Sequence, residues 1–210
     1  MKPTANWTKA SIGLFASIIF VVSLATGNNI EDGVYEWTTT AMSAATLMIL
    51  AFDKWIWRWP GVRTMINFLR MPPVLHGTWA GEIQYDKDSM GMSGKKTIYL
   101  VIRQTFTDLK IISYVSTSES SSLTAEISKN EHGNRQLAYA YRTLVPYGTR
   151  KNNPSTDGLA ILNIVGTPVK ELSGSYFTDR GGSGRISLSA HSTKLAESFS
   201  DAASFSYKER

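Results

Sequence analysis

The sequence predicts a two-part protein: an N-terminal two-helix transmembrane hairpin, then an all-β domain built as an eight-stranded antiparallel up-and-down barrel. Three observations predict it. Two apolar runs come first, and the stretch Asp53-Lys54-Trp55-Ile56-Trp57-Arg58-Trp59 follows them, ahead of Pro60. From about Val74 the chain alternates with period two and holds no further run of spanning length. Tryptophan collects at the headgroup level and Lys or Arg on the cytoplasmic side, so the interleaved tryptophans mark a membrane exit into the cytoplasm. A soluble core strand of the form W-x-W-x-W would leave the upstream runs without a place.

Ile12 to Ala25 is uncharged, and extension to residues 7–26 gives the length that crosses a hydrocarbon core of ~30 Å. The second span is expected over 35–57; its core, Trp37 to Phe52, is richer in Ala, Thr and Met. The loop between them carries Glu31 and Asp32, whereas Lys2, Lys9, Lys54, Arg58, Arg63 and Arg70 lie outside the pair. Positive residues stay inside, so both termini of a multi-pass membrane protein are expected in the cytoplasm. Lys2, Lys9 and Ser23-Leu24-Ala25 also match a cleaved signal peptide, which leaves the location of the second part unchanged. Gly13/Ser17 and Ala41/Ala45 offer small helix faces for closing the hairpin or for contact between copies. Val62, Ile66 and Leu69 with Arg63 and Arg70 suggest an amphipathic piece on the inner leaflet, within a linker over 60–75.

Composition narrows the chemistry. The chain has no cysteine, which removes disulfides, Cys-zinc sites and thiol nucleophiles. A formal charge of +5 over 210 residues is not the basic stripe of a DNA- or RNA-duplex binder. His76, His132 and His191 lack metal-ligand spacing, so no metal and no cofactor are expected. No nucleophile turn, phosphate loop or carboxylate pair is present, and the protein is not expected to be an enzyme.

The barrel is expected over 76–193, with strands at His76–Asp86, Lys96–Phe106, Leu109–Ser118, Ser122–Lys129, Arg135–Val145, Gly158–Val165, Leu172–Thr178 and Arg185–His191. Turn residues separate them, as in Glu131-His132-Gly133-Asn134 and Gly181-Gly182-Ser183-Gly184. Closure removes exposed sheet edges. The tail, 194–210, is Ser- and Ala-rich with Leu195, Phe199 and Phe205, which leaves open a short helix on the wall or disorder.

Turns of such a barrel alternate between its ends. One end shares the entry at His76 with turns near Thr107, His132 and Thr167; the other carries the longer, more cationic loops. Barrel mouths are preferred ligand sites, so this second mouth is the candidate. The ligand-binding residues expected there are Thr117, Ser120, Tyr141, Arg142, Tyr147, Arg150, Lys151, Tyr176 and Arg180. Tyr139 and Tyr141 share a face with Leu137, and Tyr176 one with Leu172 and Gly174; Lys87 and Lys95 lie in the loops, and Arg142, Arg185 and Lys96 sit on adjoining strand ends. Tyrosine stacks on a nucleobase and arginine offers a planar fork to phosphate. The same tyrosines would equally fill a narrow barrel.

Gly77-Thr78-Trp79 resembles the Gly-x-Trp opening of lipocalin- and avidin-like barrels, where the tryptophan closes the base and an arginine often covers it; here only Lys194 lies in a comparable place. Over about residues 10–192 the chain is similar to a more specific family, the two-transmembrane β-barrel effectors of bacterial CBASS (CD-NTase-associated) antiphage systems. The similarity rests on the architecture together with Leu75-His76-Gly77-Thr78-Trp79-Ala80-Gly81, Ile102-Arg103-Gln104-Thr105, Thr117 with Ser120 and Ser122, Leu137-x-Tyr139-x-Tyr141 and Gly174-x-Tyr176-Phe177-Thr178. It implies a cyclic dinucleotide second messenger as ligand, homo-oligomerisation on activation, and disruption of the membrane lipid. The alternative is a membrane-anchored, lipocalin-like carrier or sensor of a small apolar ligand, against which Arg142, Arg150, Lys151 and Arg180 weigh.

Overall fold

The computed structural model describes residues 34–62, 72–86, 93–144 and 155–209. The chain divides into two compact units, residues 1–65 and 66–210.

In the first unit, helix α1 runs over Val34–Lys54 and is followed by a 3-10 turn at Ile56–Arg58. Its 21 residues reach roughly 31 Å at the α-helical rise. Length is therefore not what it lacks. Among the described residues, however, no helix is both long and apolar enough to cross a membrane. Glu36, Thr38, Thr39, Thr40, Ser43 and Thr46 dilute the run, and Asp53 and Lys54 end it. The second span was expected over 35–57; the helix ends at Lys54, three residues short of that bound. The tryptophans are not equivalent either. Trp55 and Trp59 are 62% and 60% exposed, whereas Trp57 in the 3-10 turn is 1% exposed. The first span, 7–26, and residues 63–71 of the linker lie outside the described residues.

The second unit is the barrel. Its strands are β1 (Gly77–Tyr85), β2 (Gly94–Gln104), β3 (Leu109–Val115), β4 (Ser118–Lys129), β5 (Arg135–Leu144), β6 (Thr156–Val165), β7 (Glu171–Thr178) and β8 (Ser183–Ser192). Each pairs antiparallel with the next, and β1 pairs with β8 to close the cylinder. The expected boundaries hold to within a few residues except at β4. There the anticipated loop Ser118–Ser122 is strand, and the reversal is the two-residue turn Ser116-Thr117.

Alternation places one side chain in two inside. Trp79, Leu100, Ile102, Ile111, Leu137, Leu162, Leu172 and Leu188 form the buried interior. A bulge between Ser122 and Thr124 inserts Leu123, which is exposed, and switches the inward parity of β4 from Ser120 and Ser122 to Ala125 and Ile127.

The end at which the chain enters is plugged. The indole Nε1–H of Trp79 donates to the Leu75 carbonyl at 2.8 Å. Buried Gln104 accepts from Leu75 N–H at 2.7 Å and donates through Nε2 to the Pro73 carbonyl at 3.0 Å. Trp79 closes the base as expected, but His191, not Lys194, covers it, with ring centroids 4.6 Å apart. His191 Nε2 lies 3.0 Å from the His76 carbonyl, which only accepts, so the proton sits on that nitrogen. Lys194 instead stands 5.7 Å above the Phe205 ring.

The tail is ordered against the outer wall of β1–β3. Helix α2 (Phe199–Ser204) is capped by Ser198, whose hydroxyl accepts from Asp201 N–H. Ala196 and Ala202 pack with Val101 and Tyr114, and β9 (Lys208–Glu209) pairs with β8 beyond the end of β7.

Candidate functional site

At the end opposite the plugged base β1, β3, β5 and β7 finish and β2, β4, β6 and β8 begin. Register fixes what faces inward there. Tyr141 pairs with Ser122 and Gly158, Tyr176 with Ala160 and Gly184, and Tyr85 with Gly94 and Gly184. Every one of these three tyrosines lies across a glycine. A Cβ at Gly158 would stand 2.5 Å from Tyr141 Cζ, and one at Gly184 would stand 2.8 Å from Tyr176 Cε1. The missing side chains let the rings recline against the wall rather than stand across the lumen. Tyr139, one rung deeper than Tyr141, is buried with its ring centroid 5.8 Å away.

Hydroxyls complete the lining. Ser120 and Thr143 share a hydrogen bond of 2.9 Å, and the Ser122 hydroxyl accepts from Ile111 N–H at 3.0 Å. Burial pushes the phenols of Tyr139, Tyr141 and Tyr176 above the ordinary tyrosine range, with neighbouring phenols and, for the last two, Asp179 and Asp86 adding to it. At neutral pH all three are therefore un-ionised hydroxyls that donate and accept.

The expected site residues divide. Ser120, Tyr141 and Tyr176 face the lumen together. Thr117 and Arg180 are exposed in the turns of that rim. Arg142 has the opposite parity to Tyr141 and lies on the outer wall. Its Nε and Nη2 donate to the two carboxylate oxygens of Asp157, each at 2.7 Å. That bidentate tie holds the Asp157 carboxyl below the usual range. Tyr147, Arg150 and Lys151 lie outside the described residues. Sequence reasoning left two lumen residues out of the expected set, Tyr85 and Lys96. Their parity with Ile83, and with Ile98, Leu100 and Ile102, was the available signal. Lys96 Nζ stands 5.1 Å from the centroid of the Tyr85 ring.

Among the described residues no cluster of three or more His, Asp or Glu could hold a metal ion. The arrangement can enclose a flat, polar, partly anionic ligand: aromatic faces for bases, hydroxyls for base edges and a cation at the lip.

The family model described as "Cap15, cyclic dinucleotide receptor domain" matches residues 70–190. The chain is also similar to CD-NTase-associated protein 15 of Staphylococcus schleiferi, with 26% identity over 177 residues, covering 84% of this chain and 91% of that protein.

Proposed function

The chain belongs to the Cap15 cyclic dinucleotide receptor family of CBASS effectors, and from that membership we propose that the ligand enters the open end of the barrel. The observation that carries this reading is the lining: tyrosines reclined on glycines, with serine and threonine hydroxyls between them, above a plugged base. A cyclic dinucleotide presents two bases and two phosphates. Base–aromatic stacking contributes roughly 1–3 kcal/mol per base, and un-ionised phenols add hydrogen bonds. The protein is a sensor, with no chemistry of its own on the nucleotide.

The output is at the bacterial inner membrane, with both termini cytoplasmic. The uncharged run from Ile12 to Ala25 is the more apolar half of the anchor, and the exposed Met42, Leu47, Met48 and Leu50 of α1 supply a second apolar surface. Ligand-loaded barrels associate, which raises the effective concentration of their membrane segments for one another. The clustered segments then breach the bilayer and the infected cell dies.

A thermal-shift series on the full chain in detergent tests the receptor step. The probes are cyclic di-AMP, cyclic di-GMP, cyclic GMP–AMP and cyclic UMP–AMP at fixed salt. A ligand at a hundred times its Kd adds about 2.7 kcal/mol, a shift of several degrees. The expected result is a selective rise that Tyr141→Ala and Tyr176→Ala abolish. A rise with fatty acids, and with none of the cyclic nucleotides, would replace this reading by the apolar carrier.

A further inference from the structure

The mouth is not level. β2 begins at Gly94, but its last rung with β3 is Ile98 opposite Val115, so β2 overruns β3 by four residues. The shortfall of β3 leaves a notch in the rim, and β2 forms its standing edge. Two lysines occupy that edge with opposite fates. Lys95 points outward and its Nζ is 3.2 Å from Glu82 Oε2. Lys96 pairs with Ile83 and shares its inward parity, resting on the Tyr85 ring. Among the described residues Lys96 forms no ion pair. It is also the only cation among them that faces inward in the mouth half. Arg142, the arginine that composition favoured for phosphate, is on the other side of the wall and already saturated by Asp157.

We infer that Lys96 is the phosphodiester anchor of the lumen, set at the β3 notch so that a cyclic dinucleotide seats one phosphate on the ammonium and the neighbouring base against the tyrosines. The inference rests on the receptor reading above. An ammonium over an aromatic face is held there by the ring quadrupole, and its three donors suit a phosphate oxygen without requiring a fixed fork.

Titration of the full chain in detergent with whichever cyclic dinucleotide of the panel binds, across a series of salt concentrations, decides it. Lys96→Gln is expected to weaken binding about tenfold or more and to flatten the salt dependence. Lys96→Arg is expected to recover most of the loss, with Tm unchanged in both. Arg142→Gln should stay within about twofold of the parent. Lys96→Gln within twofold of the parent overturns the inference, as does an equal loss in Arg142→Gln at unchanged Tm. If the parent binds no cyclic dinucleotide, the receptor reading itself falls, and this inference with it.

Discussion

Tyr139 and Tyr141 illustrate how burial sets both function and pH range. Their phenols are held above the ordinary value near about 10 because the phenolate would be desolvated in the lumen. A folded-state pKa raised above the unfolded one means that the stabilisation is complete below the unfolded value and is lost as pH climbs through the folded one. Part of the phenolate absorbance should therefore emerge only together with alkaline unfolding, and Tyr139→Phe should move that unfolding to higher pH. Phenolate appearing in full near the ordinary value, with near-ultraviolet circular dichroism intact, would contradict it. Gly158 is the second residue-scale lever. An alanine there meets Tyr141 Cζ at 2.5 Å and the Phe177 carbonyl at 2.6 Å. Such overpacking costs about 1–3 kcal/mol, readable as a lower midpoint in urea. Because the Phe177 contact is backbone, truncating Tyr141 as well should relieve only part of the loss.

At the scale of elements, the entry segment and the tail each seal a surface that the strands alone leave bare. Gln104 is the seam of the entry plug, satisfying Leu75 N–H and the Pro73 carbonyl at once. Gln104→Leu keeps the volume but orphans both groups, at about 1–3 kcal/mol each. A denaturation midpoint unchanged from the parent would show the plug to be ornamental. The tail does the same for the outer wall. The Thr78 hydroxyl donates to the Lys194 carbonyl at 2.7 Å and accepts from Ala196 N–H at 3.1 Å, while the Tyr114 hydroxyl donates to the Glu197 carbonyl at 2.9 Å. Removing residues 193–210 would expose Val101 and Tyr114, and a Tm loss of at least about 5 °C is expected, on the order of 1 kcal/mol or more for a domain of this size.

For the molecule as a whole, β1–β8 close on one another, and among the described residues the strand edges left bare are short, the overrun of β2 past β3 and the two-residue β9. The association proposed on activation would therefore draw chiefly on side-chain surfaces or on the membrane part. The anchoring role given to Ile12–Ala25 is directly testable. Phe15→Lys with Ile19→Lys places two charges in mid-run, each costing roughly 2.5–3.5 kcal/mol at a helix centre. The double variant should leave the membrane fraction yet keep the ligand-induced thermal shift. Its retention in that fraction would require a different anchor.

Much of this architecture was legible from residues because period-two alternation reports burial directly. It marks Leu137, Tyr139 and Tyr141 as one face and so already puts Arg142 on the other. The turn chemistry set the strand count, and Gly77-Thr78-Trp79 located the base. The sequence by itself thus determined a barrel, its closed end and the tyrosines of its mouth. What only the tertiary structure decided were relations between strands, which no single strand encodes. The bulge at Leu123 switches the inward parity of β4, and the pairing of β5 with β6 delivers Asp157 to Arg142. The early end of β3 bares Lys96, and His191 reaches Trp79 only because β8 closes on β1. Register and closure are collective properties of hydrogen-bonded neighbours, and they chose which cation faces the lumen.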